Sequence, residues 1–151
     1  MPTHAEKRML PYSREQMFAL VADVERYPEF LPWCVACRIR DEVSPDEFVA
    51  DLIIGFKFVR ERFTSQVSLS RPNRIDVNYK EGPFHYLTNH WSFGEDENGH
   101  CIIDFYIDFE FRSKTLQKLI GRLFNEAVQR MVNAFERRAK HLYGRQRAPT
   151  A

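Results

Sequence analysis

The chain has 151 residues, 22 Lys and Arg against 21 Asp and Glu, and a 44% hydrophobic fraction. That is one domain's worth of globular sequence, long enough to bury roughly two-thirds of its unfolded surface and so to fold without disulfides or metal. A net charge of +1 argues against holding DNA by bulk charge, no apolar run reaches the ~18 residues of a membrane span, and three cysteines are no disulfide framework.

Residues 1–8 carry neither the apolar core of a secretion signal nor the make-up of an organelle presequence, so a cytoplasmic protein is expected. The composition is unusual in one respect: 13 Phe beside 6 Tyr and 2 Trp. Aromatic side chains line a large apolar space with few residues, which hints at a cavity.

Residues 3–10 alternate loosely, as a strand does. Ser13 followed by Gln16 has capping-box spacing, and Met17, Phe18 and Val21 make 14–22 a short amphipathic helix. Residues 25–32, with two prolines, read as a turn or a single helical turn. The period then changes to two: a strand over 35–43, then same-face rows at Phe48, Ala50, Leu52, Ile54 and Phe56, and at Val59, Glu61, Phe63, Ser65, Val67 and Leu69. Ile75, Val77 and Tyr79 form the next row. Leu87, Asn89, Trp91 and Phe93 follow, and then Ile103, Phe105, Ile107, Phe109 and Phe111. Turn residues at Pro45-Asp46, Pro72-Asn73, Gly82-Pro83 and Asn98-Gly99 separate these rows. One-sided alternation of this kind belongs to an antiparallel sheet with one wet face.

From Leu116 to Leu142 the period becomes 3.6, with one wide apolar stripe, a cap at Ser113 or Thr115 and a stop at Gly144. The sheet has one partner large enough to cover its apolar face, and that is this helix. The expected fold is therefore α+β: a curved antiparallel sheet of six or seven strands gripping a long C-terminal helix around an internal hydrophobic cavity. The domain is expected to span 1–144, with a frayed tail over 145–151.

Trp33-Cys34-Val35-Ala36-Cys37 has redox spacing, but no helix pattern follows it and no second cysteine pair completes a zinc site, so free thiols are the better reading. The five histidines share no ligand spacing. Asp104, Asp108 and Glu110 read as a solvated strand face, with Arg60 and Arg62 as cross-strand partners. The parities place Phe56, Phe63, Val67, Trp91, Phe93, Phe105, Ile107 and Phe109 opposite Leu123, Phe124, Ala127, Val128 and Met131 of the helix, as a cavity wall. Glu61 and Asn89 share that face and are candidates to anchor a polar head group. Tyr27, Phe30, Leu31 and Trp33 concentrate apolar surface in a connection, which reads either as a plug that closes the core or as a partly exposed portal or lid to the cavity.

Several strings resemble the coenzyme Q-binding proteins of the START-like (polyketide cyclase/dehydrase and lipid transport) superfamily, whose close relatives include ribosome association toxins. They are Tyr27-Pro28-Glu29-Phe30-Leu31-Pro32-Trp33-Cys34, Glu61-Arg62-Phe63-Thr64-Ser65, Gly82-Pro83-Phe84 and Trp91-Ser92-Phe93. Phe109-Glu110-Phe111-Arg112-Ser113, Phe135-Glu136-Arg137-Arg138-Ala139 and Tyr143-Gly144 complete the set. The resemblance implies a helix-grip fold, a lipid-sized tunnel, ubiquinone or a related prenyl lipid as ligand, and no catalytic cofactor. It implies a non-enzymatic role supporting respiration at the inner membrane surface of a bacterium, with transient membrane contact. The toxin branch implies instead a partner in the large ribosomal subunit, met by Lys114, Lys118, Arg122, Arg130, Arg137, Arg138 and Lys140. A cyclase reading would use Glu61 or a nearby His as general base.

Overall fold

In the computed structural model, residues 3–31, 33–56 and 59–144 are described. Strand β1 (Thr3–Leu10) leads into α1 (Arg14–Ala22) and a 3₁₀ helix (Val24–Glu29). Six strands follow as a meander: β2 (Cys34–Ser44), β3 (Glu47–Phe56), β4 (Val59–Ser70), β5 (Arg74–Glu81), β6 (Phe84–Glu95) and β7 (Cys101–Phe111). The chain ends in α2 (Lys114–Tyr143), a 30-residue helix of about 45 Å. The tail expected over 145–151 lies outside the described residues, as do the side chains of Phe56 and Leu123.

All strand pairs are antiparallel, and the sheet order is β1-β7-β6-β5-β4-β3-β2. The first strand thus returns to pair with the last, and β1 and β2 are the two edges. The α1 start is the capping box expected from the sequence: Gln16 N donates to Ser13 Oγ and Ser13 N to Gln16 Oε1, both at 3.0 Å. Ser113 caps α2 by accepting from Leu116 N at 3.2 Å, and Gly144 ends it at φ +68°. At the β5–β6 turn, Gly82 has φ +145°, and a Cβ there would lie 2.5 Å from Phe63 Cβ. Only glycine lets this turn close onto β4.

Helix α2 lies across the concave face, against β7, β1 and α1. Its stripe buries Phe124, Val128, Ala134, Phe135 and Ala139, whereas Leu142, expected inside, is 49% exposed. The end of the helix is still docked there, with Ala139 fully buried and Tyr143 OH donating to Gln16 O at 2.9 Å, so Leu142 lies on the side of the helix turned to solvent.

The convex face corrects a second expectation. Arg62 does not pair with the acids of β7, because two strands, β5 and β6, stand between them in the sheet order, which places β4 beside β3 and β5. Its Nη2 donates to Asp51 Oδ2 at 3.1 Å, Arg40 Nε donates to the same oxygen at 3.0 Å, and Thr64 Oγ1 donates to Oδ1 at 2.6 Å. Burial pushes the Asp51 carboxyl up, but these three donors win and hold it below the usual carboxylate range.

Candidate ligand cavity

The sheet is too curved, and α2 too straight, to pack flush. Between them lies an internal cavity of about 280 Å³. Strand alternation supplies its floor, since residues two apart share a face. Ala50, Leu52 and Ile54 come from β3, Glu61, Phe63, Ser65 and Val67 from β4, and Ile75 and Val77 from β5. Strand β6 adds Phe84, Leu87, Asn89 and Trp91, and β7 adds Phe105, Ile107, Phe109 and Phe111. The roof is one helical stripe, Ile120, Phe124, Ala127, Val128, Met131 and Phe135, and Val21, Val24, Tyr27, Leu31, Trp33 and Cys34 add to the lining from α1, the 3₁₀ helix and the connection to β2.

Aromatic contacts stiffen the wall. Trp91 packs on Phe105 and Phe135 with ring centroids 4.7 and 5.2 Å apart, and Phe109 packs on Phe124 at 5.3 Å. Phe84 stacks on Phe111 at 4.6 Å. Such pairs add stability beyond their buried area and favour defined ring orientations.

Of the side chains expected in the wall, Glu61, Phe63, Val67, Asn89, Trp91, Phe105, Ile107, Phe109, Phe124, Ala127, Val128 and Met131 line the cavity. Phe93 does not. It is buried against Phe18 of α1, with ring centroids 5.5 Å apart, because the end of β6 lies under α1 instead of under α2. Val21 and Val24 were not expected, and neither was Cys34; their roles depend on how α1 and the 3₁₀ helix dock. Ala50, Ser65, Ile75, Val77 and Leu87 carried the right parity without being singled out.

Of the two readings of the proline-rich connection, the packing resembles the plug. Leu31 is buried at 8% exposure. Tyr27 folds inward, its hydroxyl donating to Val21 O and its ring lying 5.5 Å from Phe135. Phe30 is half-buried between Phe135 at 5.2 Å and the Arg138 guanidinium at 5.1 Å. Trp33 remains half-exposed beside the β3–β4 hairpin, where its carbonyl accepts from Gly55 N at 2.8 Å. The segment is a plug with one aromatic at the rim, not a row of four exposed ones.

The lining contains few polar groups. Asn89 Nδ2 donates to Tyr106 O at 2.9 Å. Ser65 is 3% exposed, and its hydroxyl has no hydrogen-bond partner. Glu61 is half-buried at the same end as Trp33, Ile54 and Gly55. Burial pushes the Cys34 thiol up to about 11, and burial, helped by the nearby Cys34, Glu25 and Asp51, pushes Cys37 up to about 12. Neither is a ready thiolate, and they sit at the start of β2 instead of at a helix N-terminus, so the redox spacing carries no redox chemistry here.

On α2, Lys114, Lys118, Arg122, Arg130, Arg137 and Lys140 are exposed. Arg130 pairs with Glu126 at 2.7 Å, while the half-buried Arg138 pairs with Glu29 at 2.8 Å. No described helix is long and apolar enough to cross a membrane.

Comparison with known proteins agrees with this geometry. The family model described as polyketide cyclase / dehydrase and lipid transport matches residues 10–136. The ribosome association toxin RatA of Escherichia coli (strain K12) is 38% identical over 143 residues, covering 95% of this chain and 90% of that protein. The mitochondrial coenzyme Q-binding protein COQ10 homolog B of Xenopus laevis is 36% identical over 154 residues, covering 98% of this chain and 62% of that protein. The solution structure of the 18 kDa protein CC1736 from Caulobacter crescentus superposes with a TM-score of 0.78 at 34% identity, covering 96% of this chain and all of that one. With a matching model across most of its length, a curved sheet gripping a long helix and an apolar cavity between them, the chain belongs to the polyketide cyclase / dehydrase and lipid transport family.

Proposed function

We propose that the protein binds ubiquinone, or a similar prenyl lipid, in this cavity and carries or chaperones it without chemical change, in support of respiratory electron transfer. The observation that carries the reading is the cavity itself: a sequestered space walled by aromatic and aliphatic side chains, with few polar groups. A benzoquinone with an isoprenoid tail is almost wholly apolar, and desolvating it in such a wall is the main source of affinity. The relative named for coenzyme Q binding supports the choice of quinone over other lipids. A carrier must collect its cargo from a bilayer, so we place it in the cytoplasm of a bacterium, at the inner membrane, where the basic face of α2 adds attraction to anionic head groups. Both tryptophans of the chain, Trp33 and Trp91, line the cavity. Titration with a short-chain ubiquinone should therefore quench intrinsic fluorescence saturably. An unsaturable, linear response would count against a defined site.

A second reading has its own support: α2 presents exposed Lys and Arg, and the toxin relative is named for ribosome association. Co-sedimentation with large ribosomal subunits at low and physiological salt separates the two. Binding that survives physiological salt favours this reading. A catalytic reading would rest on Glu61 acting as a base within the cavity. Incubation with polyketide substrates, followed by product analysis, tests it.

A further inference from the structure

One polar group of the cavity wall is buried with no hydrogen-bond partner among the described residues. Ser65, 3% exposed on the cavity face of β4, has a hydroxyl with no hydrogen-bond partner. Its neighbour Thr64, on the opposite face, donates to Asp51 at 2.6 Å. The strand therefore satisfies the polar group it turns outward and leaves unsatisfied the one it turns inward. Buried polar groups are nearly always paired, so an orphan in a ligand-sized cavity points to a partner supplied by the ligand.

The remaining polar groups of the lining suit a ring oxygen less well. A quinone carbonyl needs a donor, and Glu61 lies at the half-exposed end of the cavity beside Trp33 and not in its depth. Asn89 already directs its amide nitrogen to Tyr106 O at 2.9 Å. Ser65 has a hydroxyl proton with nothing to receive it. Position adds to this. Glu61 shares one end of the cavity with the half-exposed Trp33, and Ser65 lies four residues further along β4, about 13 Å inward at the usual strand rise. The volume sets the remaining limit. An apolar cavity of about 150 Å³ accepts benzene, so the roughly 280 Å³ here takes a substituted ring and less than one further group of that size.

We infer that Ser65 is the head-group residue of this site: its Oγ–H donates to a ring oxygen of the quinone, the head enters first, and a long tail trails out past Trp33. This rests on the quinone-binding reading above. The test uses two probes on the full chain, ubiquinone bearing a single isoprenoid unit and the corresponding prenylated benzene without ring oxygens. The unmodified protein should bind the quinone about fivefold more tightly than the hydrocarbon, the worth of one hydrogen bond. Ser65→Ala should abolish that preference, leave hydrocarbon affinity within about twofold, and melt no lower than the unmodified protein when empty. A Ser65→Ala protein that keeps its quinone preference would overturn the inference while leaving quinone binding intact. An unmodified protein that binds neither probe would remove the reading on which the inference rests, and the inference with it.

Discussion

Asp51 and Ser65 sit in neighbouring pairs of the β3–β4 register, Asp51 opposite Thr64 and Ala50 opposite Ser65, and both are more than nine-tenths buried. Asp51 faces the convex side and receives three donors, from Arg40, Arg62 and Thr64. Ser65 faces the concave side and has no partner. The same two strands thus build a self-sufficient surface on one side and an incomplete one on the other. The convex face is finished by folding, whereas the concave face keeps a buried hydroxyl without a partner among the described residues.

The strongest way to break this contrast is to fill the concave side. Val128 lies mid-helix in the cavity roof at 5% exposure. Replacing it with Trp places an indole in the empty space, and lipid recovery should fall at least tenfold. Overpacking a full core costs about 1–3 kcal/mol, and a pre-existing void should absorb much of that. Near-normal thermal stability with lost binding is the expected outcome; unchanged lipid content in folded protein would show that α2 does not line the ligand site.

Breaking the convex face should cost stability and spare binding. Asp51→Ala removes the acceptor shared by two arginines, and because both stay half in solvent the loss should be about 1–2 kcal/mol in urea unfolding. The pH dependence has a defined sign. Asp51 has its native pKa held below the ordinary value, so its contribution is complete above about pH 4 and is lost as pH falls through the lowered native value. Asp51→Asn should flatten the acid limb of melting temperature against pH, and an unchanged limb would place that stability in other carboxylates.

Ser65→Ala should shift stability in the opposite direction. Removing an unpaired hydroxyl leaves nothing unsatisfied, so the empty protein should gain up to about 1 kcal/mol. A loss of that size would mean the hydroxyl has a structural partner after all.

The smallest expected effect is at the rim. Trp33→Ala should slow quinone transfer between vesicles a few-fold while leaving equilibrium capacity unchanged, because Trp33 is aromatic, half-exposed and part of the lining. Lost capacity at an unchanged transfer rate would make it wall instead of entrance.

Most of the fold was legible because it is written in periods. The shift from two to 3.6 fixes sheet and helix, and the parity of Phe63, Val67, Trp91 and Phe109 sets which face they share. Parity does not say what covers each stretch of a strand, so Phe93 was assigned to α2 when α1 covers it. Nor does parity give lateral order, so Arg62 was matched to distant acids instead of to Asp51 on the adjacent strand. The segment 27–33 reads as plug or as portal, because prolines and aromatics in a connection do not say which way they face. Its inward turn depends on Phe135, more than a hundred residues away, which receives both the Tyr27 and Phe30 rings. A missing partner, as at Ser65, leaves no mark in a sequence at all.

The central claim is that the concave face exists to hold a prenyl quinone. Solvent extraction of freshly purified protein, with mass spectrometry of the extract, tests it most directly when the unmodified chain and Val128→Trp are prepared side by side. A quinone near one per protein in the first, depleted at least tenfold in the second, is the predicted result. Folded, unmodified protein that repeatedly yields no quinone or other prenyl lipid would contradict the claim.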